Sequence, residues 1–301
     1  MKLTGLHILL TYQCNYECDH CFVWGSPRQT GVFTLAQLDQ VYRQALEAGT
    51  IRKIYFEGGE AFLYYPILVE AVVRAKAQGF WVGIVSNGYW ATSEEDAQVW
   101  LRPLVEARLD ALELSSDLFH GQTMETPEAR RGLAAAHQLG LSTASAICID
   151  PPTGYRQPGE SKPGESLTGG GVMFRGRAAE MLVERLPRQP WTTLTACPYE
   201  DLAEPGRIHL DPLGNLHLCQ GVLLGNLFTR PLKQLVAEYD PATHPIVGPL
   251  LAGGPAQLVR DYQLGHQSGY VDACHLCYTA RQALRVRFPH LLGPDQMYGV
   301  L

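Results

Sequence analysis

The sequence predicts an α/β fold in which parallel strands alternate with helices. Strand-like runs are centred near Ile54, Val82, Leu112 and Ala146, so they recur about every thirty residues, with helical apolar spacing between them. This alternation is typical of βα units. Right-handed crossovers in such units place the carboxyl ends of all strands at one edge of the sheet.

Capping residues delimit the predicted helices. Thr34 and Gln37 match a capping box, and Gly49 stands where the residue after the helix is usually glycine. Ser93 is a typical N-cap for a later helix. After the helix that follows Thr34, the predicted helices run from Pro66 to before Gly79, from Ser93 to about Ala107, and from Thr126-Pro127 to Gly140.

Polar residues and glycines follow the predicted strands. The apolar run Leu6 to Leu10 leads to a loop with three cysteines, and later strands end at 57–60, 86–88 and 115–117. A βα barrel gathers its chemistry at the edge where these strand ends meet. The sequence therefore predicts one site, built from four segments.

The loop after the first strand contains Cys14, Cys18 and Cys21, spaced as Cys-x3-Cys-x2-Cys. Thiolates are soft ligands that suit iron–sulfur clusters, and three thiols leave one iron of a four-iron cube free. A structural zinc ion is the alternative, although zinc prefers four ligands. Three chance thiols are the other alternative.

The overall composition is that of a soluble globular protein of one large or two moderate domains. The chain has 301 residues, 46% of them hydrophobic and 18% charged, with a net charge of -6. No block of Lys or Arg predicts a nucleic-acid or acidic-membrane partner. The sequence shows no secretory signal and no apolar stretch long enough to span a bilayer. Eight cysteines without a signal favour metal ligation in a reducing cytoplasm.

The second half of the sequence changes character. Residues 151–171 hold four prolines and six glycines, which predicts a loop. A sixth strand is predicted at Val172–Arg175 and a short helix at Ala178 to Leu186. Further on, Ile208 to Leu210 and Leu216 to Leu218 predict a β-hairpin, and Cys274-His275-Leu276-Cys277 introduces a final helix.

The three-cysteine loop resembles the signature loop of the radical S-adenosylmethionine (radical SAM) superfamily, and the resemblance covers roughly residues 4–186. It implies a partial (β/α)6 TIM-type barrel. It also implies that Cys14, Cys18 and Cys21 hold three irons of a [4Fe–4S] cluster. S-adenosylmethionine chelates the fourth iron in this family, and His20, just before the third cysteine, is expected to lie against that cofactor.

The resemblance extends to other cofactor contacts. Gly58-Gly59-Glu60 resembles the glycine-rich edge that binds the methionine amino group, with Glu60 as a carboxylate acceptor. Ordinary turns are the alternative for this tripeptide and for the strand ends. The remaining expected cofactor contacts are Ser86, Asn87, Ser115, Asp117, Arg175 and Arg177, where surface ion pairs are the alternative for the arginines.

Three residues are candidates for substrate chemistry. Asp117 and His120 are possible acid/base groups, although a histidine near a strand end is more often structural. Cys148 lies in the fifth predicted strand and is most simply a buried small hydrophobe. A few radical SAM epimerases use a lone cysteine as a hydrogen-atom donor, which makes it a second possible role.

The last third of the chain holds four more cysteines. The segment Gly214-x4-Cys219, followed by Cys-x2-Cys, resembles the auxiliary-cluster region called SPASM or its shorter form, twitch. Four thiols suffice for one auxiliary [4Fe–4S] cluster, and a zinc site is the alternative. We therefore expect a core barrel at residues 1–188 and a small α+β twitch-like domain with the C-terminal tail at 189–301. The expected auxiliary ligands are Cys197, Cys219, Cys274 and Cys277.

The resemblance implies an enzyme that reductively cleaves S-adenosylmethionine to a 5′-deoxyadenosyl radical. A flavodoxin- or ferredoxin-type protein would supply the electron. The radical would remove a hydrogen atom from a peptide or protein, and the auxiliary cluster would accept an electron, giving an oxidative modification or cross-link. The alternatives are a small-molecule dehydrogenase or epimerase and, outside enzymes, an iron–sulfur electron carrier or redox sensor. No leader-binding domain is expected before the first strand, which removes one indication of a peptide substrate.

Overall fold

The computed structural model describes residues 1–152 and 169–300. Six strands that are neighbours in the chain are also neighbours in one parallel sheet. They are β1 (Gly5–Thr11), β2 (Lys53–Gly58), β3 (Trp81–Ser86), β4 (Ala111–Ser115), β5 (Ala144–Asp150) and β6 (Gly169–Gly171). The first four connections contain helices α1 (Leu35–Ala48), α2 (Tyr65–Ala77), α3 (Glu94–Glu106) and α4 (Pro127–Gln138). The predicted α/β fold of a partial barrel is thereby confirmed.

The face of the sheet that the helices cover is apolar, as packing of helices against parallel strands requires. Every residue of β1 is buried, and Ile8 pairs with the buried Phe56 of β2. The helices contribute buried residues such as Leu38 of α1 and Leu101 of α3. This core holds the strand ends in a fixed arrangement.

The predicted helix caps are confirmed. The Thr34 side chain accepts a hydrogen bond from Gln37 N, the Gln37 side chain accepts one from Thr34 N, and Gly49 is left-handed with φ of 76°. Ser93 caps α3 by accepting from Asp96 N. Thr126 caps α4 in the same way, with a proline in its first turn.

The segment after β5 differs from the prediction. The sixth strand is Gly169–Gly171, which pairs with Cys148–Asp150, rather than Val172–Arg175. Val172 and Phe174 instead pack into a small second core with Val183 and Val271. The following helix, α5 (Ala178–Met181), is shorter than predicted. Residues 153–168 of the predicted loop lie outside the described residues.

The C-terminal strands extend the same sheet on its other side. The predicted hairpin is confirmed as β8 (Arg207–Leu210) and β9 (Asn215–Cys219), followed by β10 (Val222–Asn226). Strand β8 pairs in parallel with β1, so that His7 is opposite His209. The other C-terminal elements are α6 (Leu232–Glu238), α7 (Val247–Tyr262), α8 (Ala273–Leu284) and the two-residue strands β7 (Gln189–Pro190) and β11 (Gly269–Tyr270). Across the described ranges, no helix has the length and apolar character that crossing a bilayer requires.

Candidate active site

The loop after β1 brings three thiols together. Cys14, Cys18 and Cys21 line one cavity of about 130 Å³ at the carboxyl ends of the strands. Two of the sulfurs accept backbone hydrogen bonds, from Tyr16 N to Cys14 Sγ at 3.3 Å and from Gly25 N to Cys21 Sγ at 3.2 Å. Burial raises the pKa of Cys14 to about 12, and a metal bound to the sulfur would favour the thiolate.

The opposite wall of this cavity is the end of β2. Gly59 N donates a hydrogen bond of 2.8 Å to Thr11 O, which joins the strand end to the start of the cysteine loop. A Cβ atom on Gly59 would lie 2.1 Å from Gln13 O, and Gly58 has a φ of 140°. Both positions therefore require glycine. The same cavity is also lined by Ser86, Asn87 and Ser115.

The close approach at Gly59 makes a testable prediction. Gly59→Ala should push the cysteine loop away from β2 and reduce S-adenosylmethionine cleavage about a hundredfold, as expected for a displacement on the order of 1 Å. Gly265→Ala is the matched control, because a Cβ atom there would have no neighbour within 4 Å. Cleavage and iron content should be measured on both anaerobically reconstituted variants. Equal activity of the two variants would contradict the role assigned to Gly59.

Glu60 differs from its predicted placement. Its carboxylate is buried and does not line the cavity. Oε1 accepts hydrogen bonds from Phe62 N and Ser86 Oγ, both at 2.9 Å, and Oε2 accepts one from Asn87 N at 2.7 Å. Burial raises the pKa of Glu60. The residue thus joins the ends of β2 and β3, and its acceptors are already used within the protein.

Asn87 connects β3 to the cysteine loop. Its Nδ2 donates to Asn15 Oδ1 at 2.8 Å and lies 3.7 Å from Cys14 Sγ. The hydroxyl of Ser86 accepts hydrogen bonds from Trp90 Nε1 and Gly88 N. These two predicted cofactor contacts therefore also fix the shape of the cavity.

A group of aromatic and acidic residues lies where this cavity meets the barrel lumen. The His20 ring stacks on Phe119 with centroids 4.3 Å apart and meets His120 edge-on at 5.3 Å. Asp117 Oδ1 lies 2.8 Å from His120 Nδ1, and its Oδ2 accepts from Ile149 N at 3.1 Å. Burial lowers the pKa of His20 to about 4, so its ring is neutral at neutral pH.

The lumen itself is a second cavity of about 210 Å³, next to the first. Glu57 Oε1 lies 3.1 Å from His7 Nδ1 and 3.0 Å from His209 Nε2. Although burial disfavours its charge, the two histidines lower the pKa of Glu57, so it stays ionised. This group was not predicted from the sequence. In the sequence, this group is indicated only by polar residues at inward positions of otherwise apolar strands.

Cys148 faces away from the lumen. Its neighbours Ile147 and Ile149 line that cavity, whereas Cys148 does not and is partly exposed. The prediction of a buried hydrophobe is therefore wrong, because β5 turns this side chain to the outer face. A hydrogen-atom donor would have to lie on the inner face.

The four cysteines of the last third converge on a separate small cavity of about 20 Å³. One stands at the end of β9, two lie in the first turns of α8, and one precedes β8. Asp272 caps the N-terminus of this helix, and its side chain accepts a hydrogen bond from His275 N. The cysteines that line this cavity are Cys197, Cys219, Cys274 and Cys277.

Arg175 and Arg177 lie at two different places. Arg175 borders the lumen and the auxiliary cavity, where its Nη1 donates to Glu200 Oε1 at 2.9 Å and to Cys219 Sγ at 3.4 Å. It does not line the cavity of the three-cysteine loop, contrary to the prediction. Arg177 binds that loop, donating to Cys18 O at 2.7 Å and to Gly25 O at 2.9 Å.

The spacing of the sulfurs bears on which metal group the two cysteine sets could hold. Two groups of ligand atoms within 4.8 Å of one another occur among the described residues, and neither contains a cysteine. Four sulfurs around zinc would lie about 3.8 Å apart, from a Zn–S distance of about 2.3 Å. In the described residues, any three of the cysteine sulfurs in either set therefore include a pair more than 4.8 Å apart, which leaves room for a group larger than one zinc ion.

Comparisons with known proteins agree with this geometry. Residues 8–152 match the family model described as the radical SAM superfamily. The chain is 31% identical to YydG of Bacillus subtilis (strain 168), a protein assigned to peptide biosynthesis, over 38% of this chain and 35% of that protein. It is 37% identical to the GTP 3′,8-cyclase of Chlorobaculum tepidum, over 37% of this chain and 32% of the cyclase. The chain thus spans about a third of the length of these curated relatives.

Two solved structures share the fold. BtrN in complex with AdoMet and 2-DOIA superposes with a TM-score of 0.50 at 14% identity, over 77% of this chain and 81% of BtrN. Native anSMEcpe with bound AdoMet superposes with a TM-score of 0.50 at 15% identity, over 95% of this chain and 97% of anSMEcpe. At these identities the likeness concerns the fold.

Proposed function

From the premise that residues 8–152 form a radical SAM domain, we propose that this enzyme oxidises a peptide or protein substrate with two iron–sulfur clusters. The observation that carries the proposal is the cavity where Cys14, Cys18 and Cys21 face the Gly58-Gly59 edge, directly beside the lumen. When bound, the clusters and S-adenosylmethionine supply a radical that removes a hydrogen atom and an acceptor for the electron then left on the substrate. A flavodoxin- or ferredoxin-type protein is the proposed electron donor.

The residues between the two cavities position the cofactor against the substrate. Ser115 and His120 line both cavities and can contact a ligand in either. The pair of Asp117 Oδ1 and His120 Nδ1 can hold a proton at this boundary. Ile147 and Ile149 give the lumen an apolar wall, which excludes water from reactive groups.

The substrate class rests on a relative and on the lumen. YydG, assigned to peptide biosynthesis, supports a peptide. The lumen of about 210 Å³ has room for one side chain or a small ring, and its Glu57, His7 and His209 offer polar contacts. The same volume favours a small-molecule dehydrogenase as the second candidate, and BtrN, which shares the fold, was solved with the small molecule 2-DOIA. Identifying the oxidised product distinguishes the two.

The metal content tests the two-cluster proposal. The reconstituted protein should hold about eight irons per chain, at four for each cluster. Replacing Cys14, Cys18 and Cys21 together with alanine should leave about four irons and a cluster absorption spectrum. Metal analysis of both proteins gives the answer. Zinc in place of the residual iron would refute the auxiliary cluster.

A further inference from the structure

Arg281 occupies an unusual position beside the auxiliary cysteines. It lies on α8 one turn after Cys277 and is only 1% exposed. Its Nη1 donates a hydrogen bond of 2.5 Å to Gln220 O, the carbonyl next to Cys219. The guanidinium thus lies near two of the four proposed cluster ligands, Cys219 and Cys277, and Arg281 lines their cavity.

The charge of Arg281 lies among aromatic rings and thiols. Within the two described stretches of the chain, no Asp or Glu oxygen forms an ion pair with it, and its Nε has no hydrogen-bond partner. The rings of Tyr278 and Tyr298 lie 5.7 and 5.9 Å from the guanidinium carbon. A buried cation is strongly destabilising unless a nearby anion compensates it. The thiols of Cys219 and Cys277 are the groups beside it that ligation would make negative.

Arg175 shows the contrast. It also borders the auxiliary cavity, but it forms an ion pair with Glu200, whose other oxygen lies 3.6 Å from Arg207. Its charge is therefore partly compensated by a carboxylate. Arg175 also donates to Cys219 Sγ at 3.4 Å, but it shares its charge with Glu200, whereas among the described residues no carboxylate pairs with Arg281.

We propose that Arg281 is a positioning residue that raises the reduction potential of the auxiliary cluster. The inference rests on the proposed auxiliary cluster. A cluster that accepts one electron from the substrate becomes one unit more negative, and a fixed cation in a poorly polarisable interior stabilises that state most. Net charge and hydrogen bonding around the sulfurs set such potentials. Arg281 would thereby favour electron transfer from the substrate to the cluster.

Redox titration of the reconstituted protein, followed by electron paramagnetic resonance, tests the inference. Arg281→Met should lower the midpoint potential, so that at a fixed potential the ratio of reduced to oxidised auxiliary cluster falls about tenfold or more. Arg281→Lys keeps the charge and should stay nearer the wild-type potential. Arg285→Met is the matched control, one turn further along, because Arg285 is already paired with Asp295. If Arg281→Met does not fold, Arg281→Gln is the neutral variant to use instead, because glutamine keeps a donor for the Gln220 carbonyl.

The outcomes separate this inference from the proposed function. If the protein holds about eight irons per chain, at four per cluster, but the neutral variants have an unchanged midpoint potential, the role of Arg281 is overturned and the two-cluster proposal stands. An equal shift of the midpoint potential in Arg285→Met would also overturn the inference, since a cation already paired with a carboxylate would then affect the potential as strongly as Arg281. Wild-type protein with about four irons would overturn the auxiliary cluster, and with it this role of Arg281.

Discussion

Cys18→Ala is expected to reduce cleavage of S-adenosylmethionine to background. Cys18 lies in the middle of the three-cysteine loop, and its carbonyl is held by Arg177, so the change removes one thiol while leaving the backbone anchor in place. Two thiols cannot hold three irons of a cube. The measurement is 5′-deoxyadenosine formed under anaerobic reducing conditions.

Cys148→Ala is the control for this experiment. Cys148 lines neither cavity, and its substitution should leave both 5′-deoxyadenosine and product formation intact. Undiminished cleavage of S-adenosylmethionine by Cys18→Ala would contradict the assignment of the cluster ligands. Loss of product in Cys148→Ala would show that the thiol takes part in the reaction despite facing outwards.

Cys219→Ala should lose product formation but keep some uncoupled 5′-deoxyadenosine. The three-cysteine loop is intact in this variant, so the radical can still form. Four thiols saturate the four irons of an auxiliary cube, which leaves no open position for substrate and makes electron transfer its remaining role. Product and 5′-deoxyadenosine should be quantified together, with circular dichroism to verify the fold.

Two results would contradict this role. A product at the same oxidation level as the substrate would show that no electron leaves the substrate radical. Direct binding of substrate to the second cluster, seen by spectroscopy, would show an open coordination position.

Local features were predictable from the sequence. The caps at Thr34, Ser93 and Thr126 depend on residues three positions apart, and the spacing of Cys14, Cys18 and Cys21 lies within one loop. Such interactions do not depend on how distant segments pack. The strand ends also met at one edge, because all strands of a parallel sheet run in the same direction.

Features that depend on distant pairing were not predictable. The group of His7, Glu57 and His209 exists because β8 pairs in parallel with β1, and no local pattern sets that register. Arg175 was expected at the cofactor, but Glu200 and Cys219 hold it at the auxiliary cavity. Glu60 was expected to face the ligand, whereas the turn after β2 directs it towards Asn87.

The position of β1 between β2 and β8 also governs how the chain folds. Gly5 pairs with Arg207, about 200 residues later, so one edge of this apolar strand stays unpaired until the last third of the chain arrives. An unpaired apolar edge can join other chains, and contacts of such long sequence separation form slowly. Synthesis of this protein therefore includes a long interval in which the nascent barrel is prone to aggregation, and sheet completion is a late folding step.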